Sequence, residues 1–188
     1  NCIASNNQEG FFDGYIAGKN NLFSNCIATN SIEGFLFFGG TDNTLEGCRA
    51  TNNYMGIVVF NFGSSGISWK ITGCNSSSNG GDGLLIGSFN PNTGSLDDFN
   101  IEKNTVNENA ASGINCFYTG KVAINKNTCN KNAIDGILLG NFSGNQILIS
   151  NTIQQNLTQY NGAVGLELYN VNNSFVLKNV ATENTGCD

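Results

Sequence analysis

Asn1-Cys2-Ile3-Ala4-Ser5-Asn6 returns almost unchanged as Asn25-Cys26-Ile27-Ala28-Thr29-Asn30. Weaker copies begin at Gly47, Gly73, Asn104, Asn127, Asn151 and Asn179. Periods in the twenties are the signature of a chain that stacks one supersecondary unit on the next. A few residues after each copy a glycine opens an apolar stretch: Gly10-Phe11, Gly34-Phe35, Gly56-Ile57, Gly83-Leu84, Gly113-Ile114, Gly136-Ile137 and Gly165-Leu166. A third apolar segment closes the repeat, as at Leu22-Phe23, Thr44-Leu45, Lys70-Ile71, residues 147–149 and residues 175–177. Each period thus holds three short strand-like runs separated by Asn, Gly and Ser turns. Helix is disfavoured, because Gly or Asn interrupts every window of about ten residues. The expected fold is an all-β solenoid of about seven to eight coils of three short strands, stacked in parallel. At about 4.8 Å per coil, the rod spans roughly 35 Å.

Stacked coils bring like residues together every 4.8 Å or so. The fourth residue after each Cys2-type position is Asn6, Asn30, Asn52, Asn109, Asn132, Asn156 or Asn184, with Ser78 the exception. Asn is 34 of the 188 residues, so this recurrence predicts an amide ladder or a column of left-handed turns. Cys2, Cys26, Cys48 and Cys74 form a second column, continued in this alignment by Thr105, Thr128, Thr152 and Val180. Residues of that size suit a buried column, in which thiols act as small hydrophobes. Cys116 and Cys129 fall on other apolar positions, and Cys187 lies at the C-terminal end.

These repeated N-[CT]-x-x-x-N and [DE]-G-[IFL] pieces cover essentially the whole chain, which resembles the right-handed parallel β-helix proteins of the pectin-lyase-like superfamily. The resemblance implies the fold. For function it implies a choice among lyases, hydrolases, epimerases, phage tailspikes, adhesins and inert rods. Pectate lyases combine a Ca²⁺-binding Asp cluster with an Arg base, but Arg49 is the sole Arg and stands apart from any acidic cluster. Polygalacturonase-like hydrolases carry Gly-His-Gly and Arg-x-Lys motifs, and neither occurs. Tailspike-type hydrolases need only carboxylates.

Composition narrows the field. There is no His, which removes His-based acid–base catalysis, His metal sites and Ser-His-Asp triads. The net charge is −6 with 8 basic residues, so no nucleic-acid footprint is expected. No apolar run approaches the roughly 18 residues of a membrane span. The chain reads as one domain over residues 1–188; with no initiator Met and residue 1 already inside a repeat, it is expected to be part of a longer protein.

Carboxylates are the remaining catalytic groups. Glu9, Glu33, Met55, Asp82, Ser112, Asp135 and Val164 all precede the repeat glycine. Glu9 and Glu33 belong to neighbouring coils, so their carboxylates come within about 5–6 Å and could raise one another's pKa or recruit Ca²⁺. Asp97 and Asp98 lie in the longest coil, near the single Pro91, where a solvated protruding loop is expected. Glu9, Glu33, Asp97 and Asp98 are the catalytic candidates, and Glu9 and Glu33 the Ca²⁺ candidates. No other cofactor is implied.

The outer face of the glycine-led strands is unusual. Alternation places Phe11, Phe35, Ile57, Leu84, Ile114, Ile137 and Leu166 inward. The opposite face carries Phe12, Leu36, Val58, Leu85 and Leu138, then Phe38, Phe60, Phe117 and Tyr169. Such an apolar stripe calls for a cover: the chain itself, a second copy, or sugar rings. Phe12, Phe38, Phe60, Phe117 and Tyr169 are the binding candidates. The leading expectation is a non-catalytic structural or carbohydrate-binding rod on a cell, spore, virion or extracellular surface. A polysaccharide lyase, hydrolase or epimerase using paired carboxylates is the alternative. A self-assembling subunit, forming homo-oligomers or end-to-end contacts, is the third.

Overall fold

A computed structural model describes residues 1–14, 18–62, 66–88, 97–140 and 148–186. The chain winds as an all-β parallel solenoid of about seven turns. Three sheets run along it. The first is made of three-residue strands, Ile3–Ser5, Ile27–Thr29, Arg49–Thr51, Asn75–Ser77, Thr128–Asn130, Leu157–Gln159 and Val180–Thr182. Single bridges through Thr105 join its two halves. The second holds the glycine-led strands, Glu9–Asp13, Glu33–Phe38, Met55–Asn61, Leu84–Ser88, Ile114–Phe117, Ile137–Gly140 and Leu166–Tyr169. The third holds Leu22–Ser24, Asn43–Glu46, Ser68–Thr72, Asp98–Glu102, Lys121–Asn125, Thr152–Gln154 and Phe175–Leu177. All pairings are parallel, so each strand meets its equivalent one coil away.

The second sheet keeps the register read from sequence. Phe11, Phe35, Ile57, Leu84, Ile114, Ile137 and Leu166 are successive partners. From Phe35 to Ile137 this line is fully buried. The glycine before it is required by approach, not by turn geometry. A Cβ on Gly34 would stand 2.6 Å from the Gly56 carbonyl oxygen, and one on Gly113 2.6 Å from that of Gly136. The first and second sheets converge there, with Ala50 Cβ and Cys129 Cβ each 3.1 Å from the same two positions. No side chain fits between them.

The Asn reading needs correction. Asn6, Asn30, Asn52 and Ser78 do form one column, but all four are left-handed turn residues with φ of 60°, 54°, 58° and 58°. The hydrogen-bonded ladder is the next column: Ser31, Asn53, Asn79, Asn109, Asn132, Asn161 and Asn184. Asn109 shows its chemistry. Its N–H and Nδ2 both donate to Asn132 Oδ1, at 3.1 and 3.0 Å, and Nδ2 also donates to the Ser76 carbonyl at 3.1 Å. Every hydrogen of the amide is used, and so is its acceptor, which makes full burial tolerable.

The cysteine column is a second such ladder and hands over to asparagine. Cys26, Cys48 and Cys74 continue as Asn104, Asn127, Asn156 and Asn179. Asn104, Asn127 and Asn156 donate Nδ2–H to the carbonyls of Ile71, Ile101 and Ile124. At the same place Cys48 and Cys74 donate S–H to Phe23 and Leu45, at 3.4 and 3.6 Å. The thiol is therefore a weak polar substitute for the amide. Thr105, Thr128 and Val180 stand one residue later, in the first sheet, and Thr152 belongs to the third. The misalignment arises because Asn151-Thr152-Ile153 imitates the repeat's opening while forming a third-sheet strand beside Phe175–Leu177. Leu148–Ile149 instead pairs with Val171–Asn172. Along the asparagine ladder the coil lengths are 22, 26, 30, 23, 29 and 23 residues.

Candidate functional site

The outer stripe of the second sheet is continuous. Phe38 and Phe60 are partners, followed by Gly87, Phe117, Gly140 and Tyr169. Phe12 rests edge-on against Phe38 at 5.7 Å between ring centroids. Phe62, which follows the strand, joins the line, packing on Phe38 at 5.0 Å and on Phe60 at 5.9 Å. Phe60 and Phe117 meet at 5.9 Å across Gly87. A Cβ on Gly87 would stand 2.5 Å from the Phe117 ring, so the glycine exists to let that ring lie down over the strand. Leu36 and Val58 are buried on this outer face, so the chain covers part of the stripe itself. Phe12, Phe62 and Tyr169 remain exposed, and Phe38, Phe60 and Phe117 are half-buried. No Lys or Arg stands on this face.

The carboxylates separate into different environments. Glu9 and Glu33 are direct cross-coil partners, as the spacing predicts. Burial and then the neighbouring Glu9 charge raise the Glu33 pKa. Among the described residues no third Asp, Glu, Cys or His joins them in a metal-holding group, and Ca²⁺ takes six to eight oxygens. Asp82 and Asp135, from the same column, act as structural acceptors. Asp82 Oδ1 accepts Ser112 N–H at 2.8 Å and Oδ2 accepts Asn115 Nδ2–H at 3.1 Å, while Asp135 Oδ1 accepts Val164 N–H at 3.0 Å.

Asp97 is not a solvated loop residue. It is 1% exposed, because the chain has already re-entered the wall at that point. Its Oδ1 accepts Asn61 Nδ2–H at 2.8 Å and Ile67 N–H at 2.9 Å, while Oδ2 is buried without a hydrogen-bond partner among the described residues. Burial pushes its pKa up to about 6, against the two hydrogen bonds, which lower it. Asp98, one residue on, points outward and pairs with Lys121 at 3.0 Å. Adjacent residues on a strand face opposite sides, so the two carboxylates do not act together. Pro91 lies outside the described residues. Asp98 does line a shallow cleft of about 250 Å³ on the third sheet, with Asp42, Ser68, Lys70 and Asn100.

The described cysteines are all free thiols. Contact between the two thiols holds Cys48 below the ordinary thiol range, and the same contact, followed by burial, pushes Cys74 up. Burial raises Cys116 and Cys129. Cys187 lies outside the described residues.

Sequence reasoning missed Phe62 and the burial of Asp97. Phe62 falls just past its strand, out of the alternation. The fate of Asp97 depends on where a long coil rejoins the wall, which no local pattern records.

The fold and its ladders define a parallel β-helix. Among solved structures it is similar to the A-module of the Azotobacter vinelandii mannuronan C-5 epimerase AlgE6, with a TM-score of 0.66 and 19% identity over 98% of this chain and 56% of that one. It is also similar to the A-module of the A. vinelandii mannuronan C-5 epimerase AlgE4, with a TM-score of 0.54 and 16% identity over 89% of this chain and 57% of that one. The likeness is one of fold, and the chain spans somewhat more than half the length of those modules. No protein-family profile matches the sequence, and no curated protein matches it. Among the described residues, no helix is long and apolar enough to cross a membrane.

Proposed function

We propose that this chain is a polysaccharide-binding β-helical rod, working outside the cell or on a surface, whose aromatic stripe stacks on sugar rings. The observation that carries this reading is the line Phe12, Phe38, Phe62, Phe60 and Phe117 on the outer face of the second sheet. Successive rings lie 5.0–5.9 Å apart and are partly open to solvent. The rings meet edge to face or tilted, so the stripe offers faces and edges in turn, and its open faces suit the C–H faces of sugars. The two similar solved structures carry the names of enzymes acting on mannuronan, which supports a carbohydrate role. Calorimetry with a neutral β-1,4-linked hexose oligosaccharide tests it. Removing both Phe38 and Phe60 by substitution with Ala should weaken binding about tenfold, at about 0.5–1.5 kcal/mol per ring. Undiminished binding by that variant sinks the reading. A stripe-dependent dimer in light scattering, with no glycan binding, favours the copy-to-copy alternative.

A catalytic reading has one specific observation in its favour. Asp97 is a carboxyl with a pKa near the range useful for proton transfer, held beside Phe60 and Phe62 through Asn61. Epimerisation or cleavage of mannuronan that disappears in Asp97→Asn would replace the binding-only reading with it.

A further inference from the structure

The left-handed corner between the third and first sheets holds Asn25, Gly47, Gly73, Lys103, Lys126, Gln155 and Lys178, all at φ between 53° and 62°. Asn and Gly suit that conformation; Lys does not. Lys103 N–H donates to Asn125 O, Lys126 N–H to Gln154 O and Gln155 N–H to Leu177 O, each at 3.0 Å, so these residues stack one above the next. The side chains of Lys103, Lys126, Gln155 and Lys178 are exposed. Three of the seven lysines of a chain with net charge −6 therefore stand on one edge.

The opposite corner of the first sheet is a control built into the molecule. Glu108, Lys131, Tyr160 and Glu183 have the same left-handed backbone, at φ 57–59°. There the single lysine stands next to a carboxylate, and Lys131 pairs with Glu108 at 4.0 Å. At the first corner Lys103, Lys126 and Lys178 form no ion pair among the described residues. The one carboxylate beside them, Glu102, is held low chiefly by its bond to Lys70 and only then by the charges of Lys70 and Lys103. Like charges in register repel, so this line is unfavourable unless an anion lies along it.

At the far end of the first-sheet strands, one residue before the Glu108 corner, runs an outward polar row of Ser77, Asn107, Asn130, Gln159 and Thr182. Asn107 N–H donates to Ser77 Oγ at 3.1 Å, Asn130 N–H to Asn107 Oδ1 at 2.8 Å, and Gln159 N–H to Asn130 Oδ1 at 2.9 Å. The Nδ2 groups of Asn107 and Asn130 donate to no protein atom among the described residues, and so point spare donors outward along the row.

We propose that this corner is a second binding surface that takes a linear polyuronate, a carboxylate at each lysine, with its axis along the rod. Coil spacing of about 4.8 Å is close to one sugar in an extended chain. The surface is independent of the aromatic stripe, which carries no cation.

The test is polymannuronate binding by the whole chain at low salt. The triple variant Lys103→Asn, Lys126→Asn, Lys178→Asn removes the charge while giving the backbone a residue that already fills this column at Asn25. It should fold at least as well as the parent, bind tenfold or more weakly, and lose about two to three from the slope of log affinity against log salt. The charge-equal triple Lys19→Asn, Lys121→Asn, Lys131→Asn should lose less than about twofold, by the same counterion argument. Gln155→Lys completes the line and should tighten binding about two- to threefold. Equal losses in the two triples, no gain from Gln155→Lys, equally tight binding of single-stranded nucleic acid, or no polymannuronate binding by the parent each overturn the assignment. Neutral-oligosaccharide binding reports separately on the stripe.

Discussion

Asp97 should make this protein lose stability as pH rises through the mild acid range. Its folded pKa is about 6, against 3.8 for an ordinary aspartate. Between those values the folded chain holds a proton that the unfolded chain has released, so unfolding becomes easier with each step upward in pH. The gap of about two units is worth about 3 kcal/mol, absent below about pH 4 and fully developed above about pH 6.5. The geometry supports that order of magnitude. Two donors serve Oδ1, but Oδ2 is buried with no partner among the described residues, and a buried unsatisfied acceptor costs about 1–3 kcal/mol, more when charged. Glu33 and Asp82 are also raised by burial, so the parent curve contains several groups. Asp97→Asn isolates one. The amide oxygen keeps both donors, and no charge can form. Urea unfolding of parent and variant at about pH 4 and about pH 7.5 gives a double difference in which pH-independent effects cancel. The variant should gain about 3 kcal/mol relative to the parent on going to the higher pH. A stability difference that is the same at both pH values refutes the reasoning.

Other expectations follow from the ladders. Gly56→Ala would drive a methyl into Ser76 Oγ and the Gly83 carbonyl oxygen, with Asn79 Nδ2 2.8 Å away; it should cost about 3 kcal/mol or more, read by thermal melting. Asn132→Ala strands the N–H and Nδ2 of Asn109 and the Val106 carbonyl and should cost about 3–5 kcal/mol in urea unfolding. Cys74→Asn extends the amide ladder toward the N-terminal end, where Cys74 N–H already donates to Asn104 Oδ1 at 2.8 Å. It should be neutral or stabilising within about 1 kcal/mol, whereas Cys74→Ala should cost about 1–2 kcal/mol by losing the bond to the Leu45 carbonyl.

The sequence alone determined the winding. Period-two alternation after each glycine set the core line from Phe11 to Leu166 and the stripe from Phe38 to Tyr169, because a strand has only two faces and the glycine marks its start. It also made Glu9 and Glu33 neighbours. Tertiary structure decided which of several similar Asn positions carries the ladder. Asn6, Asn30 and Asn52 earn a left-handed turn, while Asn53, Asn79 and Asn109, one place on, carry the hydrogen bonds. At Asn52-Asn53 the turn residue and the ladder residue are both Asn and adjacent in sequence, so composition cannot separate them; only the direction of the side chain does. The same holds for the charges. Coils of 22 to 30 residues put Lys103, Lys126 and Lys178 on one edge and bury Asp97 one residue before an exposed Asp98. Unequal coils must still close on the same three sheets, and where each closes is set by the stacking of whole turns.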